Sequence, residues 1–142
     1  MARFEHIGIN VPDAIAMARW YEENLYVTIL KKMDSVPYTH FLGDSTGRVF
    51  LEIYTNKEAK IPDYNKQDPL IFHIAFETMD PEKMAKKLVE KGATMVEKVQ
   101  PDEKSVLIMM RDPWGIPLQL CKRSSPFVLP RPIIDFSAKE MN

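Results

Sequence analysis

Residues 4–10 read FEHIGIN and residues 71–77 read IFHIAFE, the same short β-prone pattern written twice with a histidine third in each. His6 to His73 is 73 − 6 = 67 positions. Glu52 to Gln119, polar residues inside the apolar runs FLEIY and PLQL, is 119 − 52 = 67 as well. The same offset pairs Asp13 with Asp80, Met17 with Met84, Ala18 with Ala85 and Leu51 with Leu118. A spacing kept over so many positions marks a duplicated half-domain, and it joins four scattered polar residues into one candidate site.

Each half reads as strand, helix, then three strands, an α+β chain of two βαβββ modules. In the first, Pro12-Asp13 supply a helix start before AIAMARWYEENL, where Ile15, Ala18, Leu25 and Tyr21 or Glu22 mark alternate faces. In the second, Asp80 caps, Pro81 takes the first helical position and Gly92 closes EKMAKKLVEKG, with Met84, Leu88 and Val89 as its buried stripe. The β-rich stretches VTILKKM, YTHFLGD and RVFLEIYTN follow one helix; ATMVEKV, KSVLIMMRD and IPLQLCKR follow the other. The expected division is a first module over 1–56, a polar, proline-containing linker over 57–69, a second module over 70–123 and a tail over 124–142. The tail carries Pro126, Pro130 and Pro132, shows no period, and suits a packed arm, an arm exchanged between subunits or a disordered end.

The 142 residues are 45% hydrophobic, ordinary for a globular protein, with 19 basic and 20 acidic residues interspersed for a net charge of −1. That balance offers no electrostatic footprint for nucleic acid or an anionic membrane surface. One cysteine excludes an internal disulfide, and no apolar stretch approaches the roughly 20 residues that span a bilayer. MARFEHIGIN does not read as a signal peptide, so the expected compartment is the cytoplasm and the expected partners are small molecules and copies of the chain itself.

Strand alternation puts Phe4, His6, Gly8 and Asn10 on one face of their strand, and Phe50, Glu52 and Tyr54 on one face of theirs. The duplicates are Ile71, His73, Ala75 and Glu77, then Pro117, Gln119 and Cys121. If the halves pack by an approximate two-fold, these faces line one cleft and two imidazoles, one carboxylate and one amide converge. Imidazole nitrogen and carboxylate oxygen both ligate divalent transition ions well, and an amide oxygen does so weakly. Phe4, Phe50 and Tyr54 would wall such a pocket, with Cys121 on its border. His40 falls opposite Leu107 under the offset and reads as a strand or surface histidine, and Trp114 as a turn residue that packs on or covers the site.

The two FEHIGIN-like openings, Trp20-Tyr21-Glu22-Glu23-Asn24-Leu25 at the first helix end, FLEIY and RDPWGIPLQL together resemble the glyoxalase, bleomycin-resistance and extradiol dioxygenase superfamily, the vicinal oxygen chelate fold, over roughly residues 3–123. The resemblance implies two βαβββ modules forming a curved mixed sheet around a cleft. It implies one divalent ion (nickel, zinc, cobalt, manganese or iron) on His6, Glu52, His73 and Gln119, and a homodimer with the site within one chain or between chains.

The pattern is most similar to glyoxalase I-like lyases and isomerases, acting on a small carbonyl-containing metabolite or its thiol adduct with Glu52 as metal ligand and proton-transfer base. The resemblance also assigns substrate contacts to Asn10 and Asn56. Bacterial glyoxalases place an arginine where this chain has Asn10, which weakens a glutathione assignment, and they have a glutamate where it has Gln119. One carboxylate fewer leaves the ion more positive and a stronger Lewis acid. It also leaves one base where a two-base epimerase would need two. The alternatives are an extradiol-type Fe(II) dioxygenase and a metal-free small-molecule binding protein of the bleomycin-resistance type.

Overall fold

The computed structural model describes residues 1–127. The first module comprises β1 (Ile7–Asn10), α1 (Ala14–Asn24), β2 (Thr28–Lys32), β3 (His40–Gly43) and β4 (Val49–Tyr54). After a 3-10 turn at Tyr64–Lys66 the second repeats the order with β5 (Ile74–Glu77), α2 (Pro81–Glu90), β6 (Thr94–Val99), β7 (Val106–Arg111) and β8 (Pro117–Lys122). The two four-stranded sheets run β1-β4-β3-β2 and β5-β8-β7-β6, and in each the first and last strands of the module lie side by side and parallel. The expected two-module α+β fold is the observed one. Of the expected tail, residues 124–127 are described, and 128–142 lie outside the described residues.

Both helices start by the same device. The Asp13 carboxylate accepts from the Ala16 amide at 3.0 Å and that of Asp80 from the Lys83 amide at 3.0 Å, each satisfying a backbone donor that helix geometry leaves open. Gly92, at φ +100°, follows the end of α2 in the left-handed region that glycine enters without strain.

Alternation sorts β4 and β8 cleanly. Leu51, Ile53, Leu118 and Leu120 are at most 2% exposed, whereas Glu52 and Gln119 between them point to the opposite face and are half-buried. On α2 the buried residues are Pro81, Ala85 and Leu88. Val89, expected in that stripe, is 47% exposed, and Ile15 on α1 is 44% exposed.

The modules are joined by side chains of α1. The Tyr21 hydroxyl donates to Asp112 Oδ2 at 2.8 Å in the core, and its ring packs on Phe76. Trp20 donates from its indole nitrogen to the Lys91 carbonyl at 2.8 Å and meets Trp114 edge to face. Phe50 meets Phe76 in the same way. The linker is gripped by Arg111, whose guanidinium donates to the carbonyls of Tyr64 and Gln67, each at 2.7 Å. Gly115 turns at φ +85° against Asn65, where a Cβ would come within 2.5 Å of Asn65 Cγ. Trp114 is a turn residue, as expected, and it packs on Trp20 and the core.

The 67-residue offset is not uniform. In β3 His40 pairs with Ile53, and in β7 Ile108 pairs with Leu120, so the equivalent strands are displaced by 108 − 40 = 68 while Ile53 and Leu120 keep 67. The first hairpin is one residue longer, Leu42 to Leu51 against Met110 to Leu118, and a register shift between Leu42 and Gly43 accommodates it. His40 therefore matches Ile108, not Leu107. It is 4% exposed in the core, with Nδ1 2.7 Å from the Tyr38 carbonyl, a strand residue and not a surface one.

Candidate metal centre

His6 and His73 each sit on the residue before their strand, and Glu52 and Gln119 lie mid-strand in β4 and β8. Because β1 pairs with β4 in the register Gly8 to Glu52, the side chain two residues before Gly8 shares the face of Glu52. The result is a contact: His6 Nε2 lies 2.8 Å from Glu52 Oε2. On the other side of the ring Nδ1 lies 2.8 Å from the Glu5 carboxylate, and the ring edge meets Phe41 at 5.7 Å between centroids. A carboxylate accepting from Nδ1 leaves Nε2 as the nitrogen turned to the site, an arrangement that orients metal-binding histidines. Glu52 and Tyr54 converge above Gly8, where an added Cβ would lie 3.5 Å from Glu52 Oε2 and 3.4 Å from Tyr54 Oη.

The second module repeats the plan. His73 Nδ1 is 3.0 Å from the Pro69 carbonyl, which again leaves Nε2 available. Gln119 lies opposite Ala75, and its Oε1 accepts from the Cys121 thiol at 3.2 Å. Burial pushes the Cys121 thiol pKa up, with Arg123 acting to lower it and Glu77 to raise it.

The chain thus brings His6 and Glu52 together. His73 does not join them: among the described residues no group of three or more His, Cys, Asp or Glu side chains is placed to hold a metal ion. The donor chemistry of the first half suits a divalent ion, an imidazole tethered at Nδ1 with Nε2 beside a carboxylate oxygen, and the second half offers a tethered imidazole before β5 and an amide oxygen on β8.

Other expected site residues are placed as follows. Asn10 is consumed structurally: its amide donates to the Asn56 carbonyl at 2.8 Å and the Ala59 carbonyl at 3.3 Å, and its Oδ1 accepts from the Asn56 amide at 2.8 Å. Asn56 Oδ1 accepts from the Glu58 amide at 2.9 Å. Phe50 packs against the core rather than an open pocket. Phe4 is 53% exposed beneath the Arg48 guanidinium, and Tyr54 and Cys121 flank Glu52 and Gln119. Glu5 was not among the expected residues, and duplication hides it, since its counterpart is Phe72. A larger open groove between α2 and β6, lined by Lys86, Val89, Met95 and Lys98 among others, contains none of the candidate ligands.

A buried acid lies at the module junction. Asp112 is 3% exposed, and burial pushes its carboxyl pKa up to about 6 against hydrogen bonds from Tyr21 and the Ile116 and Trp114 amides, which lower it. The Tyr21 hydroxyl is raised well above its usual range by its own burial and by Asp112.

Two βαβββ modules, one carrying His6 and Glu52 and the other His73 and Gln119, define a two-module α+β protein. The sequence model of the Glyoxalase/Bleomycin resistance protein/Dioxygenase superfamily matches residues 3–120, and the chain belongs to that superfamily. Its fold is similar to that of a glyoxalase family protein from Bacillus cereus, with a TM-score of 0.69 and 17% identity over 85% of this chain and 93% of that one. It is also similar to a glyoxalase I variant from Zea mays, with a TM-score of 0.67 and 23% identity over 87% of this chain and 45% of that one. The trypanothione-dependent glyoxalase I of Leishmania major gives a TM-score of 0.64 and 23% identity over 84% and 86% of the two chains. No curated protein matches the chain in sequence. Among the described residues no helix is long and apolar enough to cross a membrane.

Proposed function

We propose that the protein is a metal-dependent lyase or isomerase of the glyoxalase type, acting on a small carbonyl-containing metabolite or its thiol adduct. The observation that carries this reading is the His6 to Glu52 contact of 2.8 Å, with the far side of the imidazole tethered by Glu5. His6, Glu52, His73 and Gln119 would hold one divalent ion, which when bound supplies Lewis acidity toward a substrate oxygen.

The chain's own residues handle the proton. Glu52 is the one carboxylate of the set, so it removes the proton from the carbon beside the substrate carbonyl and returns it to the neighbouring carbon. Gln119 cannot share that work, because an amide does not ionise, and the scheme is a one-base isomerisation. The Cys121 thiol donates to Gln119 Oε1 and so holds the amide with its oxygen, the better donor atom, defined.

We place the complete site between two copies of the chain. Within one chain only half of the set meets, and each histidine is flanked by exposed apolar side chains: Phe4 at 53% and Ile7 at 57% beside His6, Leu70 at 85% and Ile71 at 70% beside His73. A two-fold dimer that laid one module's open face on the other's would cover these and bring His6 and Glu52 of one copy to His73 and Gln119 of the other.

Elemental analysis of protein purified without added metal, followed by assays on thiol adducts of methylglyoxal, acyl-CoA epimers and catechols, tests the reading. A bound nickel, zinc, cobalt or manganese ion with activity on carbonyl substrates is expected. Activity confined to catechols would contradict it.

A further inference from the structure

The two modules repeat one strand order, and at the ends of their parallel strand pairs they carry different polar side chains. Val11 donates to the Tyr54 carbonyl at 2.8 Å and Thr78 to the Cys121 carbonyl at 2.9 Å, contacts related by 78 − 11 = 67 and 121 − 54 = 67, so the ends of the parallel strand pairs match. At that end the first module has Asn10 and Asn56. The second has Glu77 and Arg123, by 77 − 10 = 67 and 123 − 56 = 67. The Asn10 side chain bonds both the carbonyl and the amide of Asn56, the Asn56 side chain accepts from the Glu58 amide, and these bonds close the end of their module. The charged pair does not: among the described residues Arg123 makes no ion pair, and a cavity of about 170 Å³ opens there, lined by Ala75, Phe76, Glu77, Cys121, Arg123 and Phe127.

We infer that this cavity is a recognition subsite for a carboxylate-terminated arm of the substrate, bound by Arg123. Three features specify the ligand. The guanidinium lies 5.0 Å from the centre of the Phe127 ring, a stacked position that holds its planar fork for bidentate pairing with a carboxylate. Ala75 and Phe127 offer an apolar wall to a short stem, and the volume suits a carboxylate with a few carbons. Glu77 on the exposed rim repels a second negative charge, which favours a singly charged carboxylate over a doubly charged phosphate or phosphonate. Cys121 joins this cavity to Gln119 through its hydrogen bond, so the subsite adjoins the candidate metal-binding face. The inference rests on the proposed function only in taking that face as the one that meets substrate.

The test is an NMR titration of the full-length protein, stripped of metal by a chelator, with hexanoate, hexanamide and hexylphosphonate at a pH where the phosphonate is doubly charged. Hexanoate is expected to shift β5 and β8 signals saturably and to bind about tenfold more tightly than hexanamide, as charge-assisted pairing requires. Arg123→Ala should abolish that preference, and Glu77→Gln should narrow the gap between hexanoate and hexylphosphonate. Equal binding of hexanoate and hexanamide, shifts that map elsewhere, or no saturable binding would overturn the inference. Because no metal is present in the titration, a carboxylate preference in a protein that elemental analysis finds metal-free would sink the metal reading alone. Normal metal content without the preference would sink the subsite alone.

Discussion

His6 and Glu52 meet across the parallel pair β1 and β4, Nε2 to Oε2 at 2.8 Å, although 52 − 6 = 46 positions separate them in the chain. The register of Gly8 opposite Glu52 makes this possible, since it sets the histidine two residues away on the same face. Gly8 leaves the space above itself to the Glu52 and Tyr54 side chains.

Gly8 is therefore a test of the site that leaves the core alone. Gly8→Ala is expected to be tolerated, because its Cβ makes ordinary contacts at 3.4 Å and 3.5 Å. Gly8→Val suits an exposed strand position but adds two methyls that displace Glu52 and Tyr54, and it should lower metal affinity about tenfold or more. Calorimetric titration of metal into the folded variants, with thermal melting to show that both fold, measures the difference.

Tyr21→Phe should destabilise the junction of the modules. The change removes a hydroxyl from the core and leaves Asp112 Oδ2 without that donor, at a cost of about 1–3 kcal/mol. Urea unfolding should show a lower midpoint at an unchanged slope.

Asp112 gives stability a pH dependence whose sign follows from its raised pKa. The folded protein holds this proton more tightly than the unfolded chain, so the group's contribution is fully present below the ordinary aspartate range, near pH 4, and is lost as pH rises through about 6. The shift from 3.8 to about 6 in a carboxyl that is nearly enclosed corresponds to about 3 kcal/mol. Asp112→Asn keeps acceptor and donor atoms for its neighbours without titrating. Relative to this variant, the native protein should lose stability between pH 4 and pH 7, read by urea unfolding at each pH; a constant difference would contradict the assignment.

The duplicated architecture was legible because it is written in local signals. Asp13 and Asp80 cap helices where the repeat puts them, and strand alternation turns Glu52 and Gln119 away from the core. What local signals could not show is pairing at a distance. Nothing local to Tyr21 points to Asp112, 112 − 21 = 91 positions on, which accepts its hydrogen bond. Asn10 and Asn56 look like free polar groups in the chain, yet the Asn10 side chain satisfies the Asn56 backbone and the Asn56 side chain that of Glu58. The offset itself slips by one in β3, because a hairpin one residue longer is absorbed by a register shift that no composition reveals. Whether the four candidate ligands meet within one chain or between two copies is likewise a matter of packing that the offset does not carry; among the described residues no group of three or more His, Cys, Asp or Glu side chains is placed to hold a metal ion.

The central claim is that His6 and Glu52 of one copy share an ion with His73 of another, and subunit mixing tests it most directly. His6→Ala and His73→Ala are each expected to lose bound metal on elemental analysis, and refolding the two together should restore metal to about half of the sites in mixed dimers, since one of the two sites then has all its ligands. No metal in the native protein, full metal in either variant alone, or no recovery in verified mixed dimers would contradict it.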